Sequence, residues 1–198
     1  MIRCRGGDDF YYSDYEMQHM LRDLKIFKDM GVDQFVFGAL TDNQEIDESK
    51  CMRVLAAASP NKVTFSRAFD HTRESKRSAG ILAGLGFYRV LTSGQRESVN
   101  EPGAVQIISY LVTRHSSGSD ELIIMPGGGV NSGNVAAFIN MGCQIVHSTC
   151  RSALQLPKIE RLNKLGVSDS NCVYFSDYDV VRELKDAIMA AVHEKETE

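Results

Sequence analysis

The sequence predicts one parallel α/β domain over residues 1–198, and three observations carry that reading. Short apolar runs alternate with stretches of helical period along the whole chain. The runs lack a polar face, as strands covered by helices on both sides do. The joints between them are Gly, Pro, Asn and Asp, residues that end helices and make turns. No repeat, linker or low-complexity tract divides the chain.

Each unit can be read in order. Ser13-Asp14-Tyr15-Glu16 has the form of a capping box, and Met17, Met20, Leu21, Leu24 and Phe27 follow at helical spacing before Gly31, so a helix is predicted over 14–30. The run Gln34 to Leu40 reads as a strand closed by Thr41-Asp42-Asn43. A helix near 48–58 and a strand at Val63-Thr64-Phe65 come next, then a helix near 73–85 that ends at Gly86. Tyr88 to Thr92 is the next strand. Pro102 opens a helix with Ala104, Ile107, Ile108 and Leu111 on one face. Leu122 to Met125 reads as a strand that breaks at Pro126-Gly127-Gly128-Gly129. Asn131 or Ser132 then starts a helix that closes at Met141-Gly142, and Gln144 to His147 is the last clear strand. Residues 151–176 show no convincing period, and Asp177 or Asp179 caps a final helix through Val180, Val181, Leu184, Ile188 and Val192.

That makes five clear strands, with a sixth if Met1-Ile2-Arg3 ends one. A flavodoxin-like open sheet suits the length better than a closed barrel of about 250 residues. A net charge of −4 and a pI near 5.8 give no basic excess, so nucleic acid and anionic membrane surfaces are not expected partners. No apolar run approaches the roughly 20 residues of a membrane span. Residues 1–9 lack the apolar core of a secretory signal, so cytoplasmic residence is expected. The five cysteines, Cys4, Cys51, Cys143, Cys150 and Cys172, are odd in number and hold no Cys-x-x-Cys pair, which predicts reduced thiols.

Six segments resemble successive signatures of the CutC family, in the family's order: Ile2 to Asp8, Tyr12-Ser13-Asp14, Phe37 to Thr41, Val63 to Asp70, Arg89 to Gly94 and Met125 to Gly129. The resemblance implies a TIM-type (β/α) barrel, here incomplete, with the first βα unit missing and Met1 near the end of the second strand. Such a chain exposes two sheet edges, and poor stability as an isolated monomer is expected. The family also implies copper homeostasis and a homo-oligomer.

The signature residues fall where strands run out into loops, the rim on which barrel sites are built. Arg3, Arg5, Arg67, Asp70, Ser93 and the triple glycine Gly127, Gly128 and Gly129 form a candidate anion-binding set, since bare backbone N–H groups beside arginines suit phosphate. A tight turn explains the glycines equally well. Asp70 beside Arg67 is either a general base or one half of an ion pair that fixes two loops. Cys4, His147 and Cys150 are the candidate metal ligands, because Cu(I) prefers thiolate and imidazole donors. Against the family pattern, Cys4 stands where proline is common, Ser66 where many members have histidine, and Cys150 is slightly displaced. Met17 and Met20 read as core positions, and Cys51 and Cys143 as small buried hydrophobes.

Three functional readings follow. The first is a cytosolic Cu(I)-binding or copper-tolerance protein. The second is an enzyme, of undefined reaction, acting on a small anionic or phosphorylated metabolite. In the third, the missing unit leaves an inactive or regulatory variant.

Overall fold

Helix α1 (Asp14–Asp29) starts where both halves of the capping box form: Ser13 Oγ accepts from Glu16 N, and the Glu16 carboxylate accepts from Ser13 N at 2.7 Å. Its Met17, Met20 and Leu24 are buried, so the methionines are core residues. The computed structural model describes residues 1–7, 9–115, 122–156 and 172–197; Asp8 of the first signature lies outside them.

Four short strands, β1 (Gln34–Phe37), β2 (Lys62–Phe65), β3 (Arg89–Thr92) and β4 (Ile123–Pro126), pair in parallel in that spatial order. Helices α2 (Glu48–Ala58), α3 (Ser75–Leu85) and α4 (Ala104–His115) alternate with them. Register places Phe37, Phe65, Val90 and Ile124 side by side across the sheet. This row joins Val54, Leu82, Ile108 and Leu111 of the helices in one core. The opposite row differs. Val36, Arg89 and Ile123 are only half-buried, while Thr64 between them is buried. The described sheet therefore has one face packed by helices and the other partly open, where the apolar runs predicted cover on both.

The strand predicted over 34–40 stops at Phe37, and Leu40 instead forms an antiparallel bridge with Ile46. Two flanking segments touch the sheet without joining it as strands. Ile2 N donates to Val36 O at 2.8 Å beside β1, and His147 N donates to Pro126 O at 2.8 Å beside β4. The strand predicted over 144–147 is thus reduced to one bond at its end. Beyond Gly142, held at φ 102°, Cys143 and Val146 pack into the core, and the backbone hydrogen bond to β4 comes from His147.

Helix α5 (Val135–Asn140) is shorter than predicted. Asn131 to Asn134 form a turn in which Asn131 N donates to Asn134 Oδ1 and Gly133 N to Asn131 Oδ1, so asparagine side chains replace the first helical turn. In the stretch read as featureless, β5 (Arg151–Gln155) and β6 (Cys172–Ser176) pair antiparallel; residues 157–171 lie outside the described part. Asp177, not Asp179, caps α6 (Tyr178–Thr197), its Oδ1 accepting from Asp179 N at 2.9 Å. No helix among the described residues is long and apolar enough to cross a membrane.

Candidate functional site

Parallel strands send all their carboxyl ends to one rim, and three of the four build a connected polar structure there. After β2, Ser66 caps a 3-10 turn (Arg67–His71) by accepting from Ala68 N at 3.2 Å. The turn directs Asp70 under the end of β3. The Asp70 side chain is 5% exposed and accepts from Arg67 Nε (2.8 Å), Thr92 Oγ1 (2.6 Å), Ser93 N and Gln95 N (both 3.1 Å). A buried carboxylate so fully provided with donors is held in one place.

Arg67 extends the same network. Its Nη2 donates to Ser93 Oγ at 2.6 Å and to the carbonyls of Arg96 and Glu97. The guanidinium lies against Gly128, where an added Cβ would stand 3.0 Å from Nη1. Gly128 and Gly129 have φ of 89° and 100°, a backbone region that other residues enter only under strain. At Gly129 a side chain would also run into Ser98 Oγ. The Gly129 carbonyl accepts from the side-chain amides of Asn100, Asn131 and Asn134, which pins the loop to its neighbours. The tight-turn reading of the triple glycine thus has a full physical account.

Arg67, Asp70, Ser93 and the glycine loop are therefore brought together, while Arg3 and Arg5 serve the N-terminal arm. Arg3 Nε donates to Arg5 O, and its guanidinium stacks over Phe10 at 4.4 Å. Arg5 pairs with Asp9 at 2.8 Å and Glu16 at 2.5 Å and holds the Asp9 carboxyl down to about 2. Between the arm and the rim lies a cleft of about 670 Å³, lined by Phe10, Arg67, His71, Gln95, Arg96 and Glu101 among others. His71, Gln95 and Arg96 were not candidates from sequence. Thr92 lies inside the Arg89 to Gly94 signature and Gln95 follows it directly; nothing in a lone sequence marks His71 or Arg96.

The candidate metal ligands are more scattered. Cys4 is exposed, two residues beyond the Ile2 contact with β1, and His147 is exposed beside β4 at the other side of the sheet. Cys150 is half-buried at φ 43°, with its carbonyl accepting from Asp177 N. Among the described residues, no group of three or more His, Cys, Asp and Glu side chains is close enough to hold a metal ion. The donor chemistry suits a soft monovalent ion, but these three residues do not form a ready three-donor cage. Cys51 and Cys143 are buried, and burial pushes their thiols up to about 12 and about 11, which disfavours the thiolate that binds metal.

The CutC family model matches residues 1–152, which include the whole rim. The chain belongs to the CutC family. It is 37% identical over 182 residues to CutC from Salmonella newport (strain SL254), covering 92% of this chain and 70% of that protein. CutC from Streptococcus agalactiae, a solved structure assigned by name to copper homeostasis, superposes with a TM-score of 0.66 at 33% identity, over 75% of this chain and 70% of that one. A native KDPGal structure matches with a TM-score of 0.51 at 15% identity, over 94% of this chain and 69% of that one, which shows a shared fold alone. The family signatures and the polar rim thus coincide in one region.

Proposed function

We propose that this CutC family member acts in copper homeostasis by handling Cu(I) in the cytoplasm. Family membership along the matched residues carries the reading. Copper is cargo here, not a resident cofactor. Cu(I) is satisfied by two or three soft donors, so His147 and Cys150, three residues apart on one segment, serve as a transient pair, while Cys4 stands beside the opposite edge of the sheet. The same reading takes the four-stranded sheet, with Ile2 and His147 at its flanks, as part of a TIM-type barrel, assembled as a homo-oligomer.

The cleft supports a second reading, an enzyme for a small anionic metabolite, because Arg67, Arg96 and His71 line it. Arg3, Arg5 and Arg67 are largely engaged with protein acceptors, so copper handling remains the better-supported function.

Thermal unfolding of the whole chain, titrated anaerobically with Cu(I) and separately with phosphate, tests the two together. A ligand at 100 times its Kd stabilises the folded state by about 2.7 kcal/mol, and a chain of this size shifts by roughly 2–4 °C per kcal/mol. The copper reading expects the shift with Cu(I) alone. A shift with phosphate alone would replace it with the anion reading, and no shift with either would remove both.

A further inference from the structure

The cleft between the N-terminal arm and the rim carries charges of both signs. Arg67 and Asp70, both in its lining, pair at 2.8 Å and cancel. Beside Gly7, Arg5 is answered by Asp9 and Glu16. Among the described carboxylates and guanidiniums of the lining, this leaves Arg96 against Glu97 and Glu101. Arg96 is fixed without being neutralised. Its Nε donates to Pro102 O at 3.2 Å and its Nη1 to Gln95 O at 2.9 Å, both uncharged carbonyls. Its Nη2 lies against Gly103, held at φ 88°, where an added Cβ would stand 3.2 Å away. Among the described residues Nη2 has no acceptor, and neither the Glu97 nor the Glu101 side chain has a hydrogen-bond or ion-pair partner, although Glu101 is half-buried. A fixed donor and an open carboxylate in one concave site recognise a ligand that carries both charges, with little reorganisation on binding.

We infer that this cleft binds a small zwitterion with an apolar side group, an amino acid or a dipeptide. Its carboxylate meets Arg96 Nη2, its ammonium meets Glu101, and its side group lies against Phe10. Phe10 is itself held, with the Arg3 guanidinium 4.4 Å from its ring centre and the His71 ring 5.5 Å away, tilted by 53°. A simple anion satisfies Arg96 but meets two glutamates of its own sign. A simple amine satisfies Glu101 but faces the uncompensated Arg96. The cleft volume of about 670 Å³ falls within the roughly 300–1,000 Å³ of small-molecule sites. The inference rests on the second reading of the cleft, which it narrows from an anion to a zwitterion, and it uses no candidate copper ligand.

Calorimetric titration of the whole chain with L-phenylalanine and with phenylalanyl-glycine, which differ in the separation of their charges, supplies the test. Phenylpropanoate lacks the ammonium, phenylethylamine lacks the carboxylate, and inorganic phosphate stands for the anion reading. At least one zwitterion is expected to bind with a Kd on the order of 0.1–1 mM, as ligands of this size allow, and each single-charge analogue at least about tenfold more weakly. Glu101→Gln is expected to lower the zwitterion to the affinity of phenylpropanoate at unchanged melting temperature, since its carboxylate has no protein partner to lose. Arg96→Gln is expected to lower it to that of phenylethylamine. Binding of neither zwitterion overturns the inference, and phosphate binding in that case returns the cleft to the anion reading. Single-charge analogues that bind as tightly as the zwitterions, or full affinity in Glu101→Gln, overturn it as well.

Discussion

Asp70 is engaged by donors from two loops, where the sequence offered it as either a general base or one half of a loop-fixing ion pair. Its carboxylate receives Arg67 and the donors of the loop after β3, and it is nearly inaccessible to solvent. Removing it leaves the buried Thr92 hydroxyl and the Ser93 and Gln95 amides without their acceptor. Asp70→Ala is therefore expected to cost about 2–4 kcal/mol in a urea titration, the Arg67 share being reduced because that side chain is 38% exposed. A cost within experimental error would mean that the network is replaced by water and does not fix the rim. At this scale Arg67, Asp70, Ser93 and Gly127 to Gly129 were legible as residues of one rim. Their mutual bonding was not, because spacing along the chain does not report which side chain faces which. Cys4, His147 and Cys150 were legible as soft donors by type. Their dispersal follows from strand order, which places the Ile2 and His147 segments on opposite sides of the sheet.

Among the elements, those with a strong local signal were read closely. The capping box fixes α1 at Ser13, and Gly86 at φ 89° closes α3 where predicted. Elements set by tertiary or side-chain effects were not. The asparagine turn shortens α5, and the β5–β6 hairpin has no buried face to impose an alternating pattern. The loop after β3 supplies a prediction at this scale. Gly94 lies at φ 74°, and a Cβ there would meet the Ala104 backbone, with its Cα at 2.8 Å and its carbonyl closer still. Because backbone cannot swing aside as a side chain can, Gly94→Ala should separate α4 from the rim and cost about 1–3 kcal/mol in thermal unfolding. Gly80→Ala, inside α3 with open space around it, serves as the control and should be neutral or stabilising. Equal losses in both would contradict the close approach of Gly94 to α4.

For the molecule as a whole, strand-helix alternation was legible as parallel α/β architecture, and the described sheet confirms it with four parallel strands. The covering of that sheet was not legible, since an apolar residue looks the same in sequence whether a helix, a barrel interior or solvent faces it. The half-buried row Val36, Arg89 and Ile123 and the single bonds at Ile2 and His147 are what the barrel proposal has to complete. Function at this scale rests on the family and on soft donors carried by segments beside the sheet. The most direct test is an anaerobic competition titration of the whole chain against a chromogenic Cu(I) chelator, repeated with His147→Ala and Cys150→Ser. The account predicts one Cu(I) withdrawn per chain and a loss of at least tenfold in affinity, about 1.4 kcal/mol, for each variant. Failure of the unsubstituted chain to compete, or retention of full affinity in both variants, would contradict it.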